Sequence, residues 1–464
     1  MTHAIAPERA TQDIINPATG EVVATVTAHT KEDTREAFAV ARRAQKRWAK
    51  TSFRQRRKIF LKFHNLVIDN RDKIMDTIQA ENGKNRLSAL EEVLDVAMTA
   101  RHYAYRAEKL LKPKGRRPAV PVLTSTREEY APKGVVGAIA PFNYPLTLAV
   151  SDAIPAILAG NTVVLKPDSQ TPLSALLAAE LLSEAGLPDG IFNVITGRGS
   201  EVGQAITEEC DYLMFTGSTE TGRSLAEQVA PRLIDYSMEL GGNAPFLVCE
   251  DADLDLVLEC AMQAKMRNGG EACIAVNRFI VHESLAGEFT SRLTQRMAEV
   301  TMGNGMDDGV TLGPMITAKQ RDSIAALVDD ARGAGATVHL GGEVPQGKGY
   351  FYPATVLGDV PSDARILREE IFGPVVTVTT FATLEEGIAA ANDTEFGLAA
   401  YGFSENVHTC RRLAEKLKAG MVGINRGAIS DAAAPFGGIK QSGFGREGGA
   451  EGIEEYLDVK YLAL

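Results

Sequence analysis

The chain has no CxxC pair, no uninterrupted apolar stretch approaching ~18 residues, and no fixed-period repeat or low-complexity tract. Its N-terminal MTHAIAPERATQDIINPATG lacks a long apolar core and a small-residue cleavage pattern, so neither a secretory leader nor a membrane span is expected. Cysteine is sparse and odd in number: Cys210, Cys249, Cys260, Cys273 and Cys410 are widely spaced. That argues against a disulfide framework or a zinc site and predicts a reducing, cytoplasmic setting. Positive charge is in deficit, with 49 Lys and Arg against 60 Asp and Glu and a net charge of −11. Such a surface repels phosphate backbones, so no nucleic-acid partner is expected; a local basic pocket for one dinucleotide is still permitted.

What the chain does have is bulk. With 464 residues, 45% of them hydrophobic, it can bury large cores, and its length predicts two or three domains. After INPATGE, residues 31–80 and 86–111 carry helical apolar spacing. KPKGRRPAVPVLTSTR (112–127) is rich in Pro and β-branched residues and reads as an extended excursion or hairpin. From Gly134 the apolar runs GVVGAIAP, NTVVLKP, IFNVITG and DYLMFTGS alternate with helical stretches. This alternation predicts a parallel, doubly wound sheet, with strands buried on both faces and ligands beyond their carboxyl ends. From about Gly241 a second α/β region is expected, with strands in NAPFLVCE, RFIVHESL, TVHLGGE, YPATVLG and VVTVTTF. The terminal IEEYLDVKYLAL alternates like a strand and is expected to pair with another element or subunit.

Three residues invite chemistry, each against a plainer reading. Cys273, in MRNGGEACIAVNRF, could be a small buried hydrophobe; the glycine-rich approach of Asn268, Gly269 and Gly270 instead allows tight backbone near a soft nucleophile. Glu239, in SMELGGNAP, is either an ion-paired strand-end carboxylate or a general base of raised pKa. Asn143, in IAPFNYP, is either a turn residue or an amide donor to an oxyanion. Two strand-to-helix turns could meet phosphate. GRGSEVG (197–203) has the spacing G-x-G-x-x-x-G, which is not the standard dinucleotide fingerprint, and GSTETG (217–222) places Ser218 and Thr219 at a helix start. Lys166, ending NTVVLKP, is either an ordinary strand-end lysine or a ribose or phosphate contact.

Taken together, PFNYP, LKPDSQTP, FTGSTETG, MELGGNAP, RNGGEAC, EEIFGP and PFGGIKQSGFGREGG resemble the aldehyde dehydrogenase superfamily, in order and over nearly the whole chain. The resemblance implies an α/β aldehyde dehydrogenase fold: a Rossmann-variant cofactor domain, an α/β catalytic domain and a small β oligomerisation element. It implies Cys273 as nucleophile, Glu239 as general base and Asn143 as oxyanion donor. Phe142, Lys166, Ser169, Gly199, Gly203, Gly217, Ser218, Leu240, Glu370 and Phe372 fall on the cofactor site. The expected reaction is oxidation of an aldehyde to its acid through a Cys273 thioester, with hydride passing to NAD(P).

Departures from the family pattern sharpen these expectations. Glu271 stands where Gln is usual, and a carboxylate there could raise the Cys273 thiol. Phe142 replaces the usual Trp. Ser169 stands where many NAD-preferring members carry Glu, so NADP is expected to be accepted and preferred over NAD, because a carboxylate would repel a 2′-phosphate. Ala275 removes the partner of a redox disulfide. Arg267 and Ser430 resemble the carboxylate contacts of succinate-semialdehyde dehydrogenases, whereas that group's second arginine position is Ser151; a purely structural arginine is the alternative for Arg267.

The implied domains are 1–116 with 133–240 for cofactor, 241–430 for catalysis, and 117–132 with 431–464 for oligomerisation, as a homodimer or homotetramer. The partner is a small aldehyde, with no metal, membrane or nucleic acid. Alternatives are a dehydrogenase of uncharged aldehydes, a CoA-acylating or phosphorylating relative (disfavoured because Glu239 is present), and a catalytically silent dinucleotide-binding or structural protein.

Overall fold

The computed structural model describes residues 10–120 and 124–464; residues 121–123, inside the expected 117–132 hairpin, lie outside them. Two capped helices follow an N-terminal hairpin. Thr30 and Asp33 close a capping box on Lys31–Trp48, and Ser52 with Gln55 does the same for Phe53–Asp69. Arg71–Asn82 and the long Arg86–Leu110 complete the helical N-terminal layer.

The first sheet has the strand order Gly443–Phe444, Asp235–Glu239, Tyr212–Thr216, Val135–Ile139, Thr162–Lys166 and Phe192–Val194. Its last five strands are parallel to one another. Alternation explains why it is buried on both faces. Val163 and Leu165 join a core with Phe60, Val93 and Tyr103, while Val164 joins one with Phe38, Ala41 and Ile206. Strand order reverses between Val135–Ile139 and Tyr212–Thr216, which opens a crevice at their carboxyl ends.

The second sheet runs Thr337–Leu340, Thr355–Gly358, Val375–Phe381, Val276–His282, Ala244–Val248, Ala399–Phe403 and Met421–Ile424. Only the edge strand Thr337–Leu340 is antiparallel. Ala399–Phe403 and Met421–Ile424 were not among the expected strands. AAYGF has no β-branched residue and becomes a strand through central packing, where Phe403 stacks on Phe246 with ring centroids 4.3 Å apart, while MVGI is a short edge strand that pairs with it in parallel.

A three-stranded sheet joins Lys114–Arg116, Thr126–Pro132 and Leu457–Ala463. The segment 431–464, expected with 117–132 to supply an oligomerisation hairpin and C-terminal strand, divides between two sheets. Gly443–Phe444 instead pairs with Met238–Glu239 in the first sheet, and Gly449–Glu454 is a short helix. Only the last strand joins the small sheet. The reason is local bonding: Leu240 N–H donates to Ser442 O at 3.0 Å and Ser442 Oγ donates to Gly241 O at 2.7 Å, which ties this segment to the cleft. No helix among the described residues is long and apolar enough to cross a membrane.

Candidate active site

One continuous cavity of about 830 Å³ lies where the carboxyl ends of the first sheet face the amino ends of the second. The chain crosses this junction directly. Glu239 ends one sheet's strand, Gly241–Gly242 follow, and Ala244 begins a strand of the other. Ala244 is in parallel register with Val276, so the segment carrying Cys273 arrives beside it. The approach is close: a Cβ on Gly242 would stand 2.1 Å from the Cys273 carbonyl oxygen, so only glycine fits.

Cys273 sits on a tight turn. Asn268, Gly269 and Gly270 all have positive φ, a conformation that glycine and asparagine tolerate. A Cβ on Gly270 would meet Gly373 O at 2.3 Å. Asn268 Nδ2 donates to Asn143 O and to Glu271 O, both at 2.9 Å. Asn143 Nδ2 donates to Glu271 O at 3.0 Å, which leaves its second amide N–H for another acceptor. A buried ion pair fixes the Asn143 loop from behind. Lys84 Nζ lies 2.7 Å from Glu92 Oε1 and donates to Asn143 O at 2.6 Å, while Glu92 Oε2 accepts from Leu146 N–H and Thr147 N–H.

The electrostatics are those of an acidic pocket whose key groups are shielded from bulk solvent. Burial pushes the Cys273 thiol well above its ordinary value, and the carboxylates of Glu239, Glu370 and Glu447 push it further. Both Glu239 oxygens are buried without a hydrogen-bond partner; burial and then Asp152 hold this carboxyl well above the ordinary range, against the pull of Arg446. Burial raises Glu370 to about 7, opposed by the Gly242 N–H (2.9 Å) and by Lys265. Lys265, buried beneath, falls to about 7 for the same reason.

Glu271 departs from the expectation that it tunes the thiol. Its side chain is buried, and burial raises its own carboxyl to about 8, opposed by Lys84. Protonated, it is the isostere of the family's glutamine. The native protein therefore keeps a proton between about 4.5 and 8 that an unfolded chain has lost, and this site costs stability as pH rises through that window. Glu271→Gln is expected to match the parent at pH 6.5. At pH 9, where about nine-tenths of parent sites are ionised, it should exceed the parent in kcat/KM by up to ~10-fold. A pH profile of both proteins is the check; superposition up to pH 9.5 would rule out titration here.

The residues expected at the cofactor turns converge on the crevice. Phe142, Lys166, Gly199, Gly203, Gly217, Ser218, Leu240, Glu370 and Phe372 all line the cavity. Ser218 caps Thr219–Val229, accepting from Thr221 N–H, and so aims the first-turn N–H groups of that helix at the opening. A Cβ on Gly217 would meet Phe215 at 2.5 Å and one on Gly222 would meet Leu240 at 2.5 Å; these glycines let the turn lie flat against the sheet. Gly199 stands beside the Lys166 stem. Lys166 is buried, which lowers its pKa, with Asp168 opposing. Ser169 sits one residue beyond the lining residue Asp168, its carbonyl accepting from Gln12 Nε2. These groups suit a dinucleotide: a cation and a helix N-terminus for phosphate, and the half-buried Glu370 carboxylate for ribose.

At the other end Arg267 and Ser430 also line the cavity, and Arg267 Nε donates to Glu91 Oε2 at 2.7 Å. Sequence reasoning missed the acids around them. Glu91, Asp95, Asp152, Asp431 and Glu447 line the same space. Glu91, Glu92 and Asp95 share one helix with Lys84 just before its start, and no motif announces them because their role depends on where that helix docks.

The model of the "Aldehyde dehydrogenase family" matches residues 5–462. A protein of Mycolicibacterium smegmatis, provisionally named a succinate-semialdehyde dehydrogenase of the NADP(+) type, is 44% identical over 96% of this chain and 87% of its own length. The succinate-semialdehyde dehydrogenase of Paenarthrobacter nicotinovorans is 43% identical over 96% and 99%. Among solved structures, an E. coli NADP dependent enzyme superposes with a TM-score of 0.96 at 40% identity, covering 98% of this chain and 95% of that one.

Proposed function

The chain belongs to the aldehyde dehydrogenase family, and from that premise we propose that it oxidises a semialdehyde with a distal carboxylate, of the succinate semialdehyde type, through a thioester on Cys273. The observation that carries this reading is one shared cavity holding the Cys273 thiol, the Asn143 amide, the Glu239 carboxylate and the Arg267 guanidinium. The names of the similar proteins from M. smegmatis and P. nicotinovorans support the substrate class.

In this reading the Cys273 thiol releases its proton to solvent and the thiolate sulfur adds to the aldehyde carbon. The resulting oxyanion is met by the second Asn143 amide N–H and the Cys273 backbone N–H. NAD(P), when bound, would accept the hydride that leaves this carbon, which turns the thiohemiacetal into the thioester. Glu239 then takes a proton from the water that attacks the thioester carbon; the C–S bond breaks, the acid leaves and the thiol is restored. Lys166, the Ser218 helix start and Glu370 are assigned to the adenosine ribose, the pyrophosphate and the nicotinamide ribose. NADP is the preferred cofactor, because position 169 carries no carboxylate and Lys166 lies in the same pocket. The three-stranded sheet is assigned to self-association as a homodimer or homotetramer: its outer strand leaves Val459 and Tyr461 exposed.

The test is steady-state kinetics with both cofactors on succinate semialdehyde and on butanal, for the parent and Arg267→Ala. The variant is expected to lose ~10²-fold in kcat/KM on the semialdehyde and little on butanal, as for a lost charge-assisted carboxylate contact. Equal losses on both would remove the carboxylate assignment, and a kcat/KM with NAD tenfold above that with NADP would remove the cofactor assignment.

A further inference from the structure

The substrate end of the cavity carries its own carboxylate against the arginine. Glu91 and Arg267 are half-buried, with side-chain exposures of 28% and 34%, and both line the space that holds Cys273. Among the described residues Glu91 is the only hydrogen-bond acceptor of the guanidinium, through Nε. Among the described residues neither Nη group has a protein acceptor, so Arg267 can still take a ligand oxygen. Its charge, however, is already countered. One helical turn on, Asp95 accepts from Ser151 Oγ at 3.0 Å and lies in the field of the same arginine. Asp431 adds an exposed carboxylate to the rim.

An incoming group therefore meets a site that has a positive donor but no net positive charge. A carboxylate reaching the free Nη groups comes within a few ångströms of the Glu91 carboxylate, where like charges repel in a medium less polar than water. A neutral or cationic tail escapes that repulsion. We propose that Glu91 is a specificity-determining residue that holds Arg267 half-neutralised and so sets how strongly the site favours anionic over uncharged and cationic aldehydes. This rests on the carboxylate-binding reading of Arg267 given above.

The experiment measures kcat/KM of the parent, Glu91→Gln, Glu91→Ala and Arg267→Ala on three aldehydes of similar length: succinate semialdehyde, butanal and 4-aminobutanal. Loss of the Glu91 charge is expected to raise the ratio of succinate semialdehyde to butanal about tenfold in both variants, and to lower the ratio of 4-aminobutanal to butanal. The tenfold gain should shrink in 0.5 M salt, because the pair is partly open to water. A ratio that falls, or stays within twofold of the parent in both Glu91 variants, overturns the proposal. The Arg267→Ala arm separates the two readings. If that variant alone loses succinate semialdehyde selectively, the arginine assignment stands while the Glu91 inference fails. If it loses all three equally, the arginine assignment itself fails.

Discussion

Cys273→Ala is expected to abolish aldehyde oxidation, lowering kcat/KM on the order of 10⁴–10⁶-fold, the scale seen when a covalent nucleophile is removed. Binding of reduced cofactor should stay within about twofold. The separation of these effects follows from the site. The cofactor-turn residues hang on the first sheet, at Lys166, Gly217 and Ser218, whereas Cys273 belongs to the turn before Val276–His282 of the second. Alanine keeps the turn, because the positive-φ residues are Asn268, Gly269 and Gly270 and not position 273 itself. No other cysteine can substitute. Cys210, Cys249 and Cys260 are buried in cores and Cys410 lies elsewhere, with its thiol on Ser404 O. Fluorescence titration with NADPH, beside turnover assays, measures both quantities. Residual turnover above about one per cent of the parent would break the thioester mechanism.

Glu239→Gln is expected to separate the two halves of the reaction. Acylation should persist as a pre-steady-state burst of reduced nicotinamide, close to one equivalent per site, while steady-state turnover falls ~10²–10⁴-fold, the usual worth of a general base. The parent's steady-state rate should rise with pH through the alkaline range. Burial and Asp152 hold the Glu239 carboxyl well above its ordinary value, so the base becomes available only as pH climbs. The glutamine variant should lose that rise. Stopped-flow absorbance and a pH series measure both effects. A variant without a burst would place Glu239 before hydride transfer instead of after it. The raised carboxyl has a stability consequence of fixed sign: the native state retains a proton that the unfolded chain has released, so this site weakens the fold as pH rises.

How much of this was legible beforehand depended on whether a residue's meaning is local. Strand and helix alternation from Gly134 to Val229 follows from apolar periodicity, and the doubly wound sheet is its three-dimensional consequence. Ala399–Phe403 escaped because AAYGF has no β-branched residue, and its aromatic rings find their partners only once it lies between Ala244–Val248 and Met421–Ile424. Asn143 and Cys273 lie in glycine- or proline-bearing turns, and Glu239 ends its strand just before one, so their backbone demands are written in adjacent residues. The acids opposite them are not so marked. Glu91 and Asp95 look like the solvated face of a helix, and Glu447 like a residue of a glycine-rich loop.

From the sequence alone came the family resemblance, the proposed reacting trio and the proposed dinucleotide turns, because each rests on a short run of residues whose spacing constrains its own backbone. Only the tertiary structure decided what surrounds them. It paired Arg267 with Glu91, drew Glu447 and Asp152 towards Glu239, buried Glu271 so that it holds a proton, and folded Gly443–Phe444 into the first sheet. Charge acts through space and burial is a property of packing. The sign and strength of an acid's effect are therefore set by neighbours hundreds of positions away, which no local pattern records.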